Sequence, residues 1–295
     1  MFDSISQFRD AIQASGLMPP NVIEPGKLYR FPGIGKRHGN TAGWCKLFDD
    51  ELGGCFGDWS SGFSENWHAK RVKPFTTHER EAFKHRVAEA RAQAKGDREI
   101  QQIKAAKRAS TIWSEATLAP DHYSYLVHKD IKANGAMLYR NALTLPVIDF
   151  TGKMTSLQFI KPDGQKLLLS GGRKRGCFIH VAGDMKEPDR VIICEGWATG
   201  CTLAEDNPSA LVLAAIDVGN LKPVAVAARR RLPSAELVIA GDDDRLTAGN
   251  PGATKARAAA IASGALLALP QWPVDAPENL TDFNDLAAWL KRKAV

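Results

Sequence analysis

From Pro188 to the C-terminus the sequence repeats one pattern, and that pattern limits the possible folds more than any other feature. Short runs rich in Val, Ile, Leu and Ala alternate with stretches at helical spacing. Arg190–Cys194 precedes a helix from about Ala198, Ala210–Ile216 one from about Leu221, and Glu236–Ala240 one from about Gly252. A fourth run, Ala265–Leu269, leads toward a last helix at Asp285–Lys293. This alternation predicts a mostly parallel sheet flanked by helices on both faces. In such sheets the working residues sit at the carboxyl ends of the strands.

Acids occupy those ends. The first strand runs into Glu195-Gly196, the second into Asp217-Val218-Gly219-Asn220 and the third into Gly241-Asp242-Asp243-Asp244, while the loop after the fourth carries Asp282 and Asp285. Residues two apart on an extended backbone point the same way, so Asp242 and Asp244 are expected to converge and Asp243 to face elsewhere. One Asp-rich loop is usually a solvated turn or a helix N-cap; acids at three successive strand ends need another explanation. Crowded carboxylates repel by on the order of several kcal/mol unless cations neutralise them. Oxygen donors without His or Cys suit Mg²⁺ or Mn²⁺, and such a site serves phosphoryl chemistry. The expected metal ligands are Glu195, Asp217, Asp242, Asp244, Asp282 and Asp285, with Glu195, Asp242 and Asp244 as the catalytic set.

Upstream, Leu143–Ile148, Met154–Ile160 and Lys166–Leu169 read as antiparallel strands separated by turn signals. Cations gather there: Lys161, Lys166 and, among glycines, Arg173, Lys174 and Arg175. They are candidates for holding a triphosphate or a nucleic-acid backbone, and Lys255, near a helix start, is a candidate for a phosphate site at that helix's N-terminus. The GxxxxGK[ST] spacing is absent, so no ATP-driven motor is visible.

The N-terminal part has a different texture. Residues 4–18 predict a short amphipathic helix closed by Pro19-Pro20. Residues 27–67 predict a small antiparallel sheet from Leu28–Phe31, Gly43–Phe48 and Gly54–Trp59. Its aromatics (Tyr29, Phe31, Trp44, Phe48, Phe56, Trp59, Phe63, Trp67) alternate with cations and could stack bases, although most of these rings are expected in the core of the lobe. A capping box at Thr76–Glu79 opens a long helix that reaches about Trp113, with Gly96 as a candidate break. Residues 70–108 hold twelve Lys/Arg against five Asp/Glu, in a chain whose net charge is +6. That concentration points to an anionic polymer as partner. A membrane surface fits less well, because the apolar face Phe83, Val87, Ala90 is thin.

Five cysteines without a CxxC pair argue against a disulfide framework and a structural zinc. No apolar run is long enough to span a bilayer and Met1–Ser4 lacks signal-peptide features, so a cytoplasmic protein is expected. The fold class is α/β with an α+β N-terminal lobe. The expected divisions are a β-rich lobe at 1–75, a basic helical linker at 76–120 and a core at 121–295, itself split into an antiparallel basic part (121–187) and the alternating part (188–295).

The acidic motifs resemble the Toprim domain, whose pattern is Glu-Gly after the first strand and Asp-x-Asp after the third. Glu195-Gly196-Trp197-Ala198-Thr199 is similar to the EGYAT motif of the TraC-type conjugative-plasmid and satellite-phage primases, with Trp197 in place of Tyr. Asp217–Leu221, Gly241–Asp244, Asn250–Gly252 with Lys255, and Thr281–Asp285 resemble further segments of that group. Ser156–Ile160, Pro162–Gly164 and Lys166 resemble the strands that precede its Toprim domain, and Phe56–Trp59 with Gly62 resembles its opening domain. The resemblance implies a DNA primase: Mg²⁺- or Mn²⁺-dependent synthesis of RNA primers from ribonucleoside triphosphates on single-stranded DNA, for a plasmid or phage replicon, with a separate helicase or initiator as partner. Thr199 stands where replicative bacterial primases carry a further Asp, which gives Asp282 or Asp285 the second-metal role, and the zinc-ribbon of many primases has no counterpart. The rival readings are a Toprim nuclease and an inactive DNA-binding accessory protein.

Overall fold

The structure is a computed structural model that describes residues 3–69 and 75–294. The chain divides into two compact units, Met1–Gln101 and Gln102–Val295. The first holds helix α1 (Ser4–Ala14), strands β1 (Leu28–Phe31), β2 (Gly43–Leu47), β3 (Gly53–Asp58) and β4 (Phe63–His68), and the start of helix α2 (Thr77–Glu115). Asp3 caps α1 by accepting the Ile5 amide at 3.1 Å. The helix ends at Ala14, short of the expected residue 18, because Gly16 turns the chain with φ of 83°.

The four strands pair antiparallel in the order β1-β2-β3-β4. Phe8, Phe31, Trp44, Phe48 and Phe56 are buried in or beneath this sheet. Trp44 stacks on Trp59 at 5.7 Å, and the Arg98 guanidinium lies 4.7 Å from the Trp59 ring centroid. These rings therefore form the core of the lobe and not an open platform for bases. The capping box closes as expected: the Glu79 amide donates to Thr76 Oγ1 at 3.2 Å and the Thr76 amide to Glu79 Oε2 at 2.8 Å. Helix α2 passes Gly96 without a break, since a solvent-facing glycine costs a helix only about 1 kcal/mol. Val87, Ala90 and Ala94 of α2 pack with Trp44, Phe48 and Cys55. Lys70, Arg71 and Lys73 of the basic stretch lie outside the described residues.

The second unit begins with β5 (Thr117–Leu118), α3 (Ser124–Lys129), β6 (Met137–Tyr139), β7 (Ala142–Ile148), β8 (Met154–Ile160) and β9 (Lys166–Leu168). Its five strands form an antiparallel sheet in chain order. The alternating part follows as β10 (Ile179–Ala182), β11 (Arg190–Cys194), α4 (Trp197–Asp206), β12 (Leu211–Ala214), α5 (Val218–Arg231), β13 (Glu236–Ala240), α6 (Pro251–Ser263), β14 (Leu266–Ala268) and α7 (Phe283–Lys293). The sheet order is β10-β12-β11-β13-β14. All neighbours are parallel except β10, which sequence reasoning missed and which runs antiparallel to β12.

Both faces of this sheet are covered. Val191, Ile193, Leu211, Leu213, Leu237 and Ile239 pack against Leu221, Val224, Ala225 and Ala256 of α5 and α6. Ile192, Cys194, Val212 and Ala214 face the other way, into a core shared with Trp197 and with Leu143, Leu145 and Val147 of β7. Period-two alternation across a sheet buried on both sides explains why these strands read as continuous apolar runs.

One buried polar side chain ties the parts together. Asn220, 1% exposed, accepts the Gly176 amide at 2.9 Å and donates to the carbonyls of Lys174, Cys177 and Ala215 at 3.1, 2.8 and 2.9 Å. Asn220→Ala leaves four backbone groups, two of them in fully buried hydrogen bonds, without this partner. It is expected to lower the unfolding free energy by about 2–4 kcal/mol, measurable by urea denaturation followed by circular dichroism.

Candidate active site

The register of the central strands sets the site. Cys194 of β11 pairs with Ala214 on one side and Ala240 on the other. Glu195 and Gly241 therefore leave adjacent strands at the same level, with Asp242 one residue further on. Gly196 begins α4 without a side-chain cap, which keeps the strand-to-helix turn tight.

Neighbouring carboxylates raise the proton affinity of Glu195 and Asp242. Burial, then Asp217, push the Glu195 carboxyl above its ordinary value and Asp244 adds to this, while the Val218 amide and Lys166 oppose it. Burial, then Glu195, Asp282 and Asp244, push Asp242 up to about 8 against the pull of Lys166. Asp244 accepts the Gly252 amide at the start of α6 at 2.8 Å, and its own amide donates to Asn250 Oδ1 at 2.9 Å. Asp243 turns away, held by Asn250 Nδ2 at 2.6 Å and Trp272 Nε1 at 2.9 Å.

The remaining expected residues differ in how far they are committed. Asp282 caps α7, accepting the Asp285 amide at 2.8 Å through Oδ1. Asp285 has both oxygens engaged, by Lys129 Nζ at 3.2 Å and by the Thr281 amide at 3.1 Å. Asp217 is paired with Lys174, and Arg173 with Asp149. Lys166 reaches in from β9, where a Cβ on Gly196 would stand 3.6 Å from its Nζ. Lys161 and Arg175 are exposed, and Lys255 is exposed on α6, whose first amides already go to Asp244 and Asn250.

Sequence reasoning missed Lys129, Trp272 and Tyr125. Nothing local in the sequence marks them, since Lys129 meets Asp285 across 156 residues. The Tyr125 hydroxyl is buried without a hydrogen-bond partner, and burial, then Asp282, push its pKa up. Tyr125, with Ser124, His128 and Lys129, lines one wall of a cleft of about 510 Å³ whose other wall is Pro162–Gly164 and Lys166.

Among the described residues, no three Asp, Glu, His or Cys side chains converge closely enough to hold an ion as they stand. The acids are near enough to feel each other's charge yet stay apart, as like charges do. The donor set nonetheless fits a hard divalent cation. Asp242 Oδ1 is buried with no hydrogen-bond partner, and a buried carboxylate oxygen facing other carboxylates needs either a proton or a cation. Glu195, Asp242, Asp244 and Asp282 offer only oxygen to it, the chemistry that Mg²⁺ or Mn²⁺ accepts.

Residues 190–289 match the family model of the Toprim domain. Across 298 aligned residues, 96% of the chain, it is 31% identical to a DNA primase TraC from Escherichia coli. A second Escherichia coli DNA primase TraC is 33% identical over 279 residues, 90% of the chain. The chain spans only 20% and 26% of the lengths of these two relatives. Among solved structures, it is similar to the Aquifex aeolicus primase (zinc binding and RNA polymerase domains), with a TM-score of 0.42 and 13% identity, covering 100% of this chain and 84% of that one. That likeness is too slight to build on.

A carboxyl whose pKa rises on folding lends the native state stability below about pH 4, and this is lost as pH climbs through the raised value. For Asp242 that loss extends to about pH 8. In EDTA, Asp242→Asn is therefore expected to melt higher than the parent at pH 8.5, by roughly 2–4 °C per ~1 kcal/mol regained. The gap should shrink toward pH 5. Melting curves at the two pH values check this, and an equal gap at both would count against a charged, crowded Asp242.

Proposed function

We propose that the chain is the primer-synthesising part of a DNA primase, joining ribonucleotides on a single-stranded DNA template. One observation supports this reading: at the edge of the parallel sheet Asp242 has a buried, unpartnered oxygen within reach of the charges of Glu195, Asp282 and Asp244, with Lys166 alongside. Glu195, Asp242 and Asp244 would hold Mg²⁺ or Mn²⁺, with Asp282, whose charge acts on Asp242, and Asp217, whose charge acts on Glu195, as further acids. The bound ions supply alignment of a 3′-hydroxyl with the α-phosphate of the incoming nucleotide and neutralise charge on the departing pyrophosphate.

The chain's own residues do the rest. Lys166, between the acids and the cleft, draws the triphosphate toward the acidic edge. The cleft has room for a nucleotide, with Lys129 on its wall and the Tyr125 ring beside it. Lys161, Arg173, Lys174, Arg175 and Lys255 are candidates for phosphate contact, with Arg173 and Lys174 exchanging their present acid partners for it. Asp285 acts differently from the other acids: with both oxygens engaged, it holds Lys129 of α3 beside α7.

The reading extends to a replicon of plasmid or phage type, a separate helicase or initiator as partner, and work in the cytoplasm. No helix among the described residues is long and apolar enough to cross a membrane. The division into a lobe at 1–75, a linker at 76–120 and a catalytic core at 121–295 belongs to the same proposal.

Purified protein incubated with single-stranded DNA, labelled ribonucleotides and Mg²⁺ or Mn²⁺ is expected to yield short RNA products. Glu195→Gln and Asp242→Asn should each reduce the yield by roughly 10²-fold or more, since each removes charge stabilisation worth several kcal/mol. Unchanged circular dichroism would show that the fold survives. Synthesis that persists in both variants would overturn the site, and degradation of the DNA in place of synthesis would turn the reading to a nuclease.

A further inference from the structure

Among the described residues of the first unit, the loop between β1 and β2 holds the most cationic exposed tip. Phe31 and Gly43 are paired across the two strands, so a two-residue turn could have joined them. The chain instead makes an excursion over residues 32–42. Its tip, Ile34 to Gly39, is exposed and contains Lys36, Arg37 and His38 in succession. Among the described residues these three side chains form no ion pair or hydrogen bond.

The base of the loop is firmly built. Asp58, 1% exposed, lies beneath it and accepts the Ile34 amide at 3.0 Å and the Ser60 amide at 2.7 Å. Ser60 Oγ donates to both Asp58 oxygens at 2.7 and 2.9 Å. A Cβ on Gly33 would fall 2.7 Å from Asp58 Oδ1, so only glycine lets the loop approach this closely. On the other limb, Asn40 Oδ1 accepts the amides of Gly33 and Ala42 at 3.1 and 2.9 Å. A buried carboxylate is costly unless its oxygens are bonded, and here one of those bonds holds the loop through the Ile34 amide while the Ser60 bonds hold the turn after β3.

More positive charge stands at the foot of the loop. Arg30 of β1 donates from Nε to the Thr41 carbonyl at 3.0 Å. Burial holds its guanidinium below the ordinary value, Asp97 opposes this, and Arg98 adds to it. Ile34 is the one large apolar side chain at the tip, too little to enter a membrane.

We propose that the Gly33–Asn40 loop grips the phosphate backbone of single-stranded DNA through Lys36 and Arg37. The choice of single-stranded DNA among polyanions rests on the primase reading. The contact is independent of base sequence, since cations and backbone amides read phosphate and not base edges.

Fluorescence anisotropy of labelled oligo-dT with the whole chain, over a series of salt concentrations, tests this. Lys36→Ala/Arg37→Ala should raise Kd about tenfold and flatten the log Kd against log salt slope by ~1.4, or ~0.7 per lost phosphate contact. Arg230→Ala/Arg231→Ala, which removes the same charge from the exposed last turn of α5, should change little. Lys36→Arg should bind like the parent. Equal weakening in the two double variants, or none in either, would overturn the proposal. So would competition by polyglutamate as strong as by unlabelled oligo-dT, which would indicate an acidic protein partner. Primer synthesis measured on the same samples separates the two readings. Loop-dependent DNA binding without any synthesis keeps this proposal and defeats the primase one, whereas synthesis with loop-independent binding does the reverse.

Discussion

The site depends on three parallel strands held level with one another. β11 lies between β12 and β13, and the pairing of Cys194 with both Ala214 and Ala240 fixes where each strand ends. A slip of one residue would turn every inward side chain outward and would carry Glu195 away from Asp242. Apolar burial on both faces opposes that slip. The sheet can therefore hold mutually repelling groups at its edge, a strain that no loop of comparable composition could sustain.

Within that edge, the acids fall into those with a free oxygen and those already committed. Asp242 has a buried oxygen without a partner, whereas Asp243 and Asp285 have both oxygens engaged by protein donors. The committed acids arrange the structure around the free ones. Asp243 fastens Asn250, which caps α6, and Asp285 fastens Lys129 of α3. Three aspartates in a row thus serve two ends, and the alternation of an extended chain sorts them.

Much of this was legible in the sequence because its causes are local. Strands buried on both faces must be apolar throughout, so β11, β12 and β13 stand out from the helices between them. The contrast between Asp242 and Asp243 follows from side-chain period. The capping box at Thr76 and Glu79 is a contact between residues three apart. The rest depended on partners distant in sequence. β10 contains His180 and becomes a strand only by pairing with β12. Helix α3, Ser124–Lys129, is too short for a hydrophobic period to show. The engagement of Asp285 by Lys129 could not be read at all, so a residue grouped with the metal ligands by its motif turns out to hold a neighbouring helix. Gly96 misled for the opposite reason: a breaker matters little where one solvated helix simply continues.

The strand β10 shows where this sheet really begins. The Toprim match starts at residue 190, yet Ile179–Ala182 covers the open side of β12. Phe178 is buried against the α5–α6 face, and Asn220 reaches back to Gly176 and Lys174. An excised fragment cut at the family boundary would bare an unpaired strand edge and empty part of its own interior, the circumstance in which excised sheets stick to one another. The unit that folds is larger than the unit that is recognised.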